Sequence, residues 1–198
     1  MRTSRVLYTV AVTTVFFCFI SLSAAGQSRF SGAIESGAGL FLGEKSGEVL
    51  EENLILGFKT KERFFFGLGV GFERRFLLNS EYNPTPQYPA LIDWDFTKPR
   101  ILKGNDVSLF LNARYYMGDG RFKPTFDSRA GLAMGLSPTT LGGVFASVGA
   151  GYRYDLTQRT GISLRAFYEI KGGFMADDVY ESMEGWFNSV GLRLSYEF

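Results

Sequence analysis

The C-terminal stretch from Trp186 to Phe198 alternates without a fault. Val190, Leu192, Leu194, Tyr196 and Phe198 fall on one face, and Ser189, Gly191, Arg193, Ser195 and Glu197 on the other. A strand has period two, so this segment has one apolar side and one small or charged side up to the free carboxylate. Soluble proteins rarely finish this way.

Seven more segments carry the same period, each bounded by turn residues. The first runs near Ser31 to Gly43, with Ile34, Ala38, Leu40 and Leu42 against Glu35, Gly37 and Gly39. Leu50 to Thr60 sets Leu54, Leu56 and Phe58 against Asn53, Gly57 and Lys59, and Phe64 to Phe76 sets five apolar residues against Gly67, Gly69, Gly71, Glu73 and Arg75. Asp106 to Met117 opposes Ser108, Asn112 and Arg114 to its apolar set, and Thr125 to Leu136 opposes Asp127, Arg129, Gly131 and Gly135. Gly143 to Tyr154 carries Ser147, Gly149, Gly151 and Arg153 on its polar face, and Gly161 to Lys171 carries Ser163, Arg165 and Glu169. Eight strands of roughly ten residues make the smallest size in the membrane-barrel class.

The N-terminus has the three parts of a secretory signal: Arg2 and Arg5, an apolar stretch from Val6 to Leu22, then Ser23, Ala24 and Ala25. Cleavage is expected after Ala25, leaving residues 1–25 as signal peptide and 26–198 as one barrel domain. Cys18, the only cysteine, lies in the segment to be removed, so no disulfide is expected. Past Leu22 no stretch approaches the roughly 20 apolar residues of a membrane helix, so any crossing must be made by strands. The formal charge of +1 becomes near neutral and slightly acidic once Arg2 and Arg5 are lost, and nothing in it suggests nucleic acid.

Alternation alone fits both a membrane barrel and its inverse, a soluble periplasmic lipocalin-like barrel that binds a hydrophobic ligand inside. Three features favour the membrane form. The polar face is rich in glycine, which suits the crowded inside of a narrow barrel better than a solvated sheet. Aromatic residues sit near the strand ends: Phe64, Tyr115, Phe126, Tyr152, Tyr154 and Tyr196 toward one rim, Phe72 and Trp186 toward the other. The third is the terminal run Gly191, Leu194, Tyr196 and Phe198, which resembles the C-terminal insertion signal of bacterial outer-membrane β-barrels. The mature chain therefore resembles the small outer-membrane barrels of the OmpA and OmpX type. That resemblance implies an all-β, eight-stranded antiparallel up-and-down transmembrane barrel in the bacterial outer membrane, delivered by the barrel-assembly machinery. With no segment after Phe198 to bind peptidoglycan, the periplasmic domain found in longer relatives is expected to be absent. Outer-membrane lipid and lipopolysaccharide are the expected surroundings, with the chain as a monomer.

With the apolar face outward, Glu35, Lys59, Glu73, Arg75, Arg114, Asp127, Arg129, Arg153, Arg165, Glu169, Arg193 and Glu197 point into the lumen. Charges of both signs in a dry lumen must pair, which predicts an internal ion-pair network that plugs the barrel. A narrow low-conductance channel is the alternative for the same residues. Enzyme chemistry is not expected, because the chain has no histidine to serve as base or proton shuttle. No cofactor, metal site or catalytic residue is assigned.

The connections after strands two, four and six are compact, while Asn79 to Gly104 and Gly172 to Gly185 are the longest and are expected to face outward. The first of these carries Tyr88, Trp94 and Phe96 among its prolines, an apolar surface suited to a lid or to a surface protein partner. Lys98, Arg100 and Lys103 stand where anionic headgroups would be, and Asp177, Asp178, Glu181 and Glu184 form an acidic loop. The function expected is a structural or surface-interaction role exercised through these outer loops.

Overall fold

Each alternating segment forms a strand, because a pleated backbone sends successive side chains to opposite faces and every segment has one face for each environment. In this computed structural model, residues 28–42, 47–60, 63–79, 100–136, 141–177 and 180–198 are described. The elements are β1 (Ser28–Leu42), β2 (Gly47–Thr60), β3 (Phe64–Asn79), β4 (Arg100–Tyr116), β5 (Phe122–Gly135), β6 (Leu141–Asp155), β7 (Gly161–Asp177) and β8 (Tyr180–Glu197). Each pairs antiparallel with its sequence neighbours, and β8 pairs with β1, so the sheet closes into an up-and-down barrel.

The ladder is sheared. From Pro124 the paired residues run through Tyr152, Leu164, Leu194, Ser36, Glu52, Phe72 and Val107 and return to β5 at Met134, ten residues further on. Such a shear tilts the strands by about 35–45° and leaves an interior just wide enough for side chains to fill. One end of the barrel holds Ser28, Thr60, Arg63, Phe198 and the turns at 117–121 and 156–160; it is called the near end below. The far end holds the opposite strand ends, among them Leu42, Gly47, Asn79, Arg100, Leu141 and Asp177.

The polarity is inside out. Leu54, Val70, Leu109, Val148, Leu164 and Leu194 are half exposed on the outer wall, whereas Arg114, Arg153, Arg165, Arg193 and Glu35 are almost wholly buried within. The interior also holds Phe65, Phe110, Phe145 and Phe167, each buried. Large and small alternate across the ladder: Phe110 pairs with Gly69 on one side and Gly131 on the other, and Phe167 with Gly149 and Gly191. A phenyl ring fits there only because its neighbours have no side chain.

The strands run longer than the alternation predicts, and two connections differ accordingly. Gly172 to Gly185, expected as a loop, is mostly ladder: β7 and β8 pair through Gly172–Trp186, Gly173–Gly185 and Phe174–Glu184, with an irregularity between Met175 and Asp177. Backbone hydrogen bonds carry the hairpin onward where apolar alternation has ended, since pairing needs only N–H and C=O groups. The 79–104 connection likewise shrinks, with Asn79 paired to Arg100. Tyr88, Trp94 and Phe96 lie outside the described residues.

Gly57 tests the closeness of approach between β2 and β3, because a Cβ there would strike the Phe66 carbonyl oxygen and the Gly67 backbone. Gly57→Val should lower stability by about 1–3 kcal/mol, read from the urea midpoint of protein folded in detergent. Gly120→Val, in a turn where the added carbon meets only the Phe122 backbone at an ordinary contact distance of 3.9 Å, should change it by less than about 0.5 kcal/mol.

Candidate functional site

Position by position, the strands deliver charge to the lumen from every side, and the shear decides which charges meet. Glu35 on β1 lies at the centre of the near-end half, wholly buried. Arg114 Nη2 donates to its Oε1 at 2.7 Å, and Arg129 and Arg165 close on the same carboxylate from β5 and β7. Three guanidinium groups on one carboxylate overmatch its charge. The excess is taken up below and beside it: Arg114 Nη1 donates to Glu197 at 3.0 Å, Arg153 Nη1 reaches the other oxygen of Glu197 at 2.9 Å, and Arg129 Nε reaches Asp127 at 3.4 Å. Glu197 also accepts from the Tyr116 hydroxyl at 2.9 Å and from Ser163 at 3.2 Å. Nearer the rim, Asp155 holds Lys123 at 2.7 Å and Arg153 Nε at 2.8 Å.

A second cluster fills the far-end half. Arg193 on β8 reaches Glu51 on β2 and Glu169 on β7, the latter at 3.1 Å, while its Nη1 donates to Ser147 at 2.7 Å. Lys171 Nζ donates to Glu73 at 2.6 Å and lies 3.7 Å from Asp106, and Arg75 pairs with both of those acids. The rings separate and cover the charges: Arg193 lies 3.8 Å from the Phe167 centroid, Arg129 5.2 Å from Phe110, Arg114 5.2 Å from Phe65, and Lys59 4.8 Å from Tyr116. Cations packed on ring faces in a desolvated interior gain an attraction that water would weaken.

The structure thus places all twelve of the expected luminal residues inside. Lys59 is only half-buried at the near-end rim. Glu51, Asp106, Tyr116, Lys123, Asp155 and Lys171, none of them among those twelve, complete the two clusters. Their signal was available, since each shares the parity of a named inward residue on its strand. The terminal run divides: Gly191 faces inward against the Phe167 ring, and Leu194, Tyr196 and Phe198 lie on the outer wall. Phe198 completes the closure, its N–H donating to the Gly32 carbonyl at 2.9 Å and its own carbonyl accepting from Gly32 at 2.8 Å and Ser31 Oγ at 2.9 Å.

Chemically the interior holds charge still. A cavity of about 10 Å³, lined by Glu51, Asn53, Glu73, Ser108, Arg129 and Arg193 among others, has room for about one water molecule. Among the described residues no group of acids, histidines or cysteines is arranged to hold a metal ion.

No protein-family model and no curated protein sequence matches the chain. Among solved structures it is similar to Neisserial surface protein A, with a TM-score of 0.56 at 12% identity over 86% of this chain and 97% of that one. The outer membrane enzyme PagL gives 0.48 at 11% identity over 82% and 97%. The N-terminal β-barrel domain of Pseudomonas aeruginosa OprF gives 0.43 at 16% over 87% and 100%. The chain has the fold of the small eight-stranded outer-membrane barrels.

Glu35→Gln removes the charge that three guanidinium groups share and should destabilise the barrel by about 3–5 kcal/mol. Asp119→Asn breaks a rim pair with Arg63 whose partners are 85% and 50% exposed and should cost less than about 1 kcal/mol. Urea unfolding of the two variants side by side checks both values.

Proposed function

We propose that the chain is a non-enzymatic barrel of the bacterial outer membrane, with a sealed body and a structural or surface-contact role exercised from its far end. The observation that carries this reading is the inverted polarity: a wall of half-exposed leucine, valine and aromatic side chains around an interior of buried ion pairs. A soluble ligand-binding barrel needs the opposite arrangement. Transfer of this outer wall into lipid satisfies its apolar surface, and the closed ladder leaves no edge with unpaired backbone groups in the hydrocarbon.

The aromatic belt supports the same placement. Phe30, Phe64, Phe122, Tyr152, Tyr154, Tyr196 and Phe198 are exposed on the near-end wall, and Trp186 is exposed near the far end. Phe64 lies against Tyr115 at 4.7 Å, and Phe122 against Tyr152 at the same distance. The tyrosine and tryptophan rings among them, each with one polar edge, favour the headgroup level. The near end then faces the periplasm and the far end faces outward.

Against a channel stands the fill of the lumen, where the cavity between Glu51, Glu73, Arg129 and Arg193 has room for about one water and the facing charges of the Glu35 and Arg193 clusters are paired. Against an enzyme stands the lack of any histidine to move protons at neutral pH.

The purified protein should band with the outer membrane and run faster on gels before boiling than after. Reconstituted into planar bilayers it should give no stepwise conductance at salt concentrations where porins conduct. Recovery from the soluble periplasm without a mobility shift would overturn the membrane placement, and regular conductance steps would overturn the sealed body.

A further inference from the structure

We infer that the β2–β3 sector of the outer wall is a self-association face, on which two copies of the chain pair Glu52 of each with the partner's Arg74. The inference rests on the reading that this wall faces lipid, and it replaces the monomer expected from the sequence.

The charges described on the outer wall gather in one sector. Among the outward positions whose side chains are described, the charged ones are Glu48, Glu52 and Arg74, all exposed and all on β2 and β3. The other described outward side chains, on β1 and on β4 to β8, are apolar, small or uncharged. Glu52 is not a rim residue. Leu50 and Leu54 flank it along β2, Phe72 is its ladder partner on β3, and all three are substantially exposed on the same wall. A charge held against hydrocarbon at such a position is costly and marks a contact or a pathway.

The opposite charges do not satisfy each other within the chain. Ser36 Oγ donates to Glu52 Oε2 at 2.7 Å from the β1 side, while Arg74 Nε donates to Asn105 Oδ1 at 3.4 Å on the β4 side. Among the described residues neither Glu52 nor Arg74 takes part in an ion pair. Because Glu52 pairs with Phe72 and Leu50 with Arg74, the carboxylate and the guanidinium are diagonal neighbours on adjoining strands, turned apart.

That arrangement is self-complementary. A two-fold axis parallel to the barrel axis and passing between β2 and β3 sets each β2 across from the partner's β3. Glu52 then faces the partner's Phe72, with the partner's Arg74 one step toward the far end and within the length of an arginine side chain. The contact is isologous and closes at two copies, each supplying one acid and one base. Desolvation by the second barrel would strengthen both pairs relative to the exposed charges of a lone copy. An anionic lipid phosphate is a poorer occupant, because Glu48 and Glu52 flank Arg74 on the adjoining strand and would repel it.

The test is cross-linking of the mature protein folded in lipid vesicles, with a short bis-maleimide and a single introduced cysteine. Leu54→Cys, on the proposed face, should give a cross-linked dimer, and Val148→Cys, on β6 at the opposite wall, should give none. Adding Glu52→Gln or Arg74→Gln to Leu54→Cys should lower the dimer yield at least tenfold, and the charge exchange E52R/R74E should restore it. Heat-modifiable gel mobility of each variant reports folding and membrane insertion separately. Loss of that shift in the parent protein would strike at the membrane placement. Retained shift with equal cross-linking at the two cysteine positions, with no dimer, or with a yield indifferent to Glu52 would overturn the self-association face. Retained shift with monomers that hold lipid phosphate through Arg74 would overturn it in favour of a lipid site.

Discussion

Closure of the β1–β8 ladder is the constraint from which the other features follow. An eight-stranded sheet joined at ten residues of shear has one diameter, and that diameter admits side chains but no bulk solvent. Every inward residue must therefore be accommodated by its ladder neighbours. Phe110 has glycine on both sides, as does Phe167, so each ring spends its volume over a position without a Cβ. The final residue takes part in the closure itself through reciprocal hydrogen bonds between Phe198 and Gly32. Loss of that rung would open an edge in the one environment where an edge has no water to bind.

A lumen of this width then dictates the electrostatics. Charges within it cannot be hydrated, so each must find an opposite charge, a hydroxyl or a ring face. The two clusters divide the work differently. Around Glu35 the guanidinium groups are in excess of the carboxylate they share, and Asp127 and Glu197 complete the balance. Around Arg193 and Lys171 the acids lead, with Glu51, Glu73, Asp106 and Glu169 facing three cations. Because the partners come from strands on opposite sides of the lumen, the pairs act as struts. A change in barrel cross-section would separate buried charges, and the cost of doing so holds the section rigid.

The strand count, the inward faces and the up-and-down order were legible in the sequence because each depends on local alternation, with Ile34, Leu54, Val70 and Leu194 marking the outer face unambiguously. The pairings were not. Arg114 and Glu35 are far apart in sequence and meet only through the shear, a property of the closed sheet that no single strand encodes. The phenyl rings inside went unmarked for a related reason. Phe110 shares parity with Ser108 and Asn112, but an apolar residue on a polar face reads as an exception until Gly69 and Gly131 are known to stand beside it. At the far end the β7–β8 hairpin continues past Gly172 by backbone pairing, which needs no apolar alternation in the sequence to mark it.

Rigidity inside moves the capacity for interaction to the exterior. On the sealed-body reading proposed above, passage of a solute through the barrel requires several buried pairs to break together. What varies freely is the outer surface, and there the chain is strongly anisotropic. Among the outward side chains described, six strands carry no charge and include the small residues Ala130, Ala146 and Ala166, while β2 and β3 carry Glu48, Glu52 and Arg74. A lipid surround would treat all eight strands alike. On the self-association inferred above, the polar sector answers to a neighbour that touches one side of the barrel only, a protein wall of matching charge.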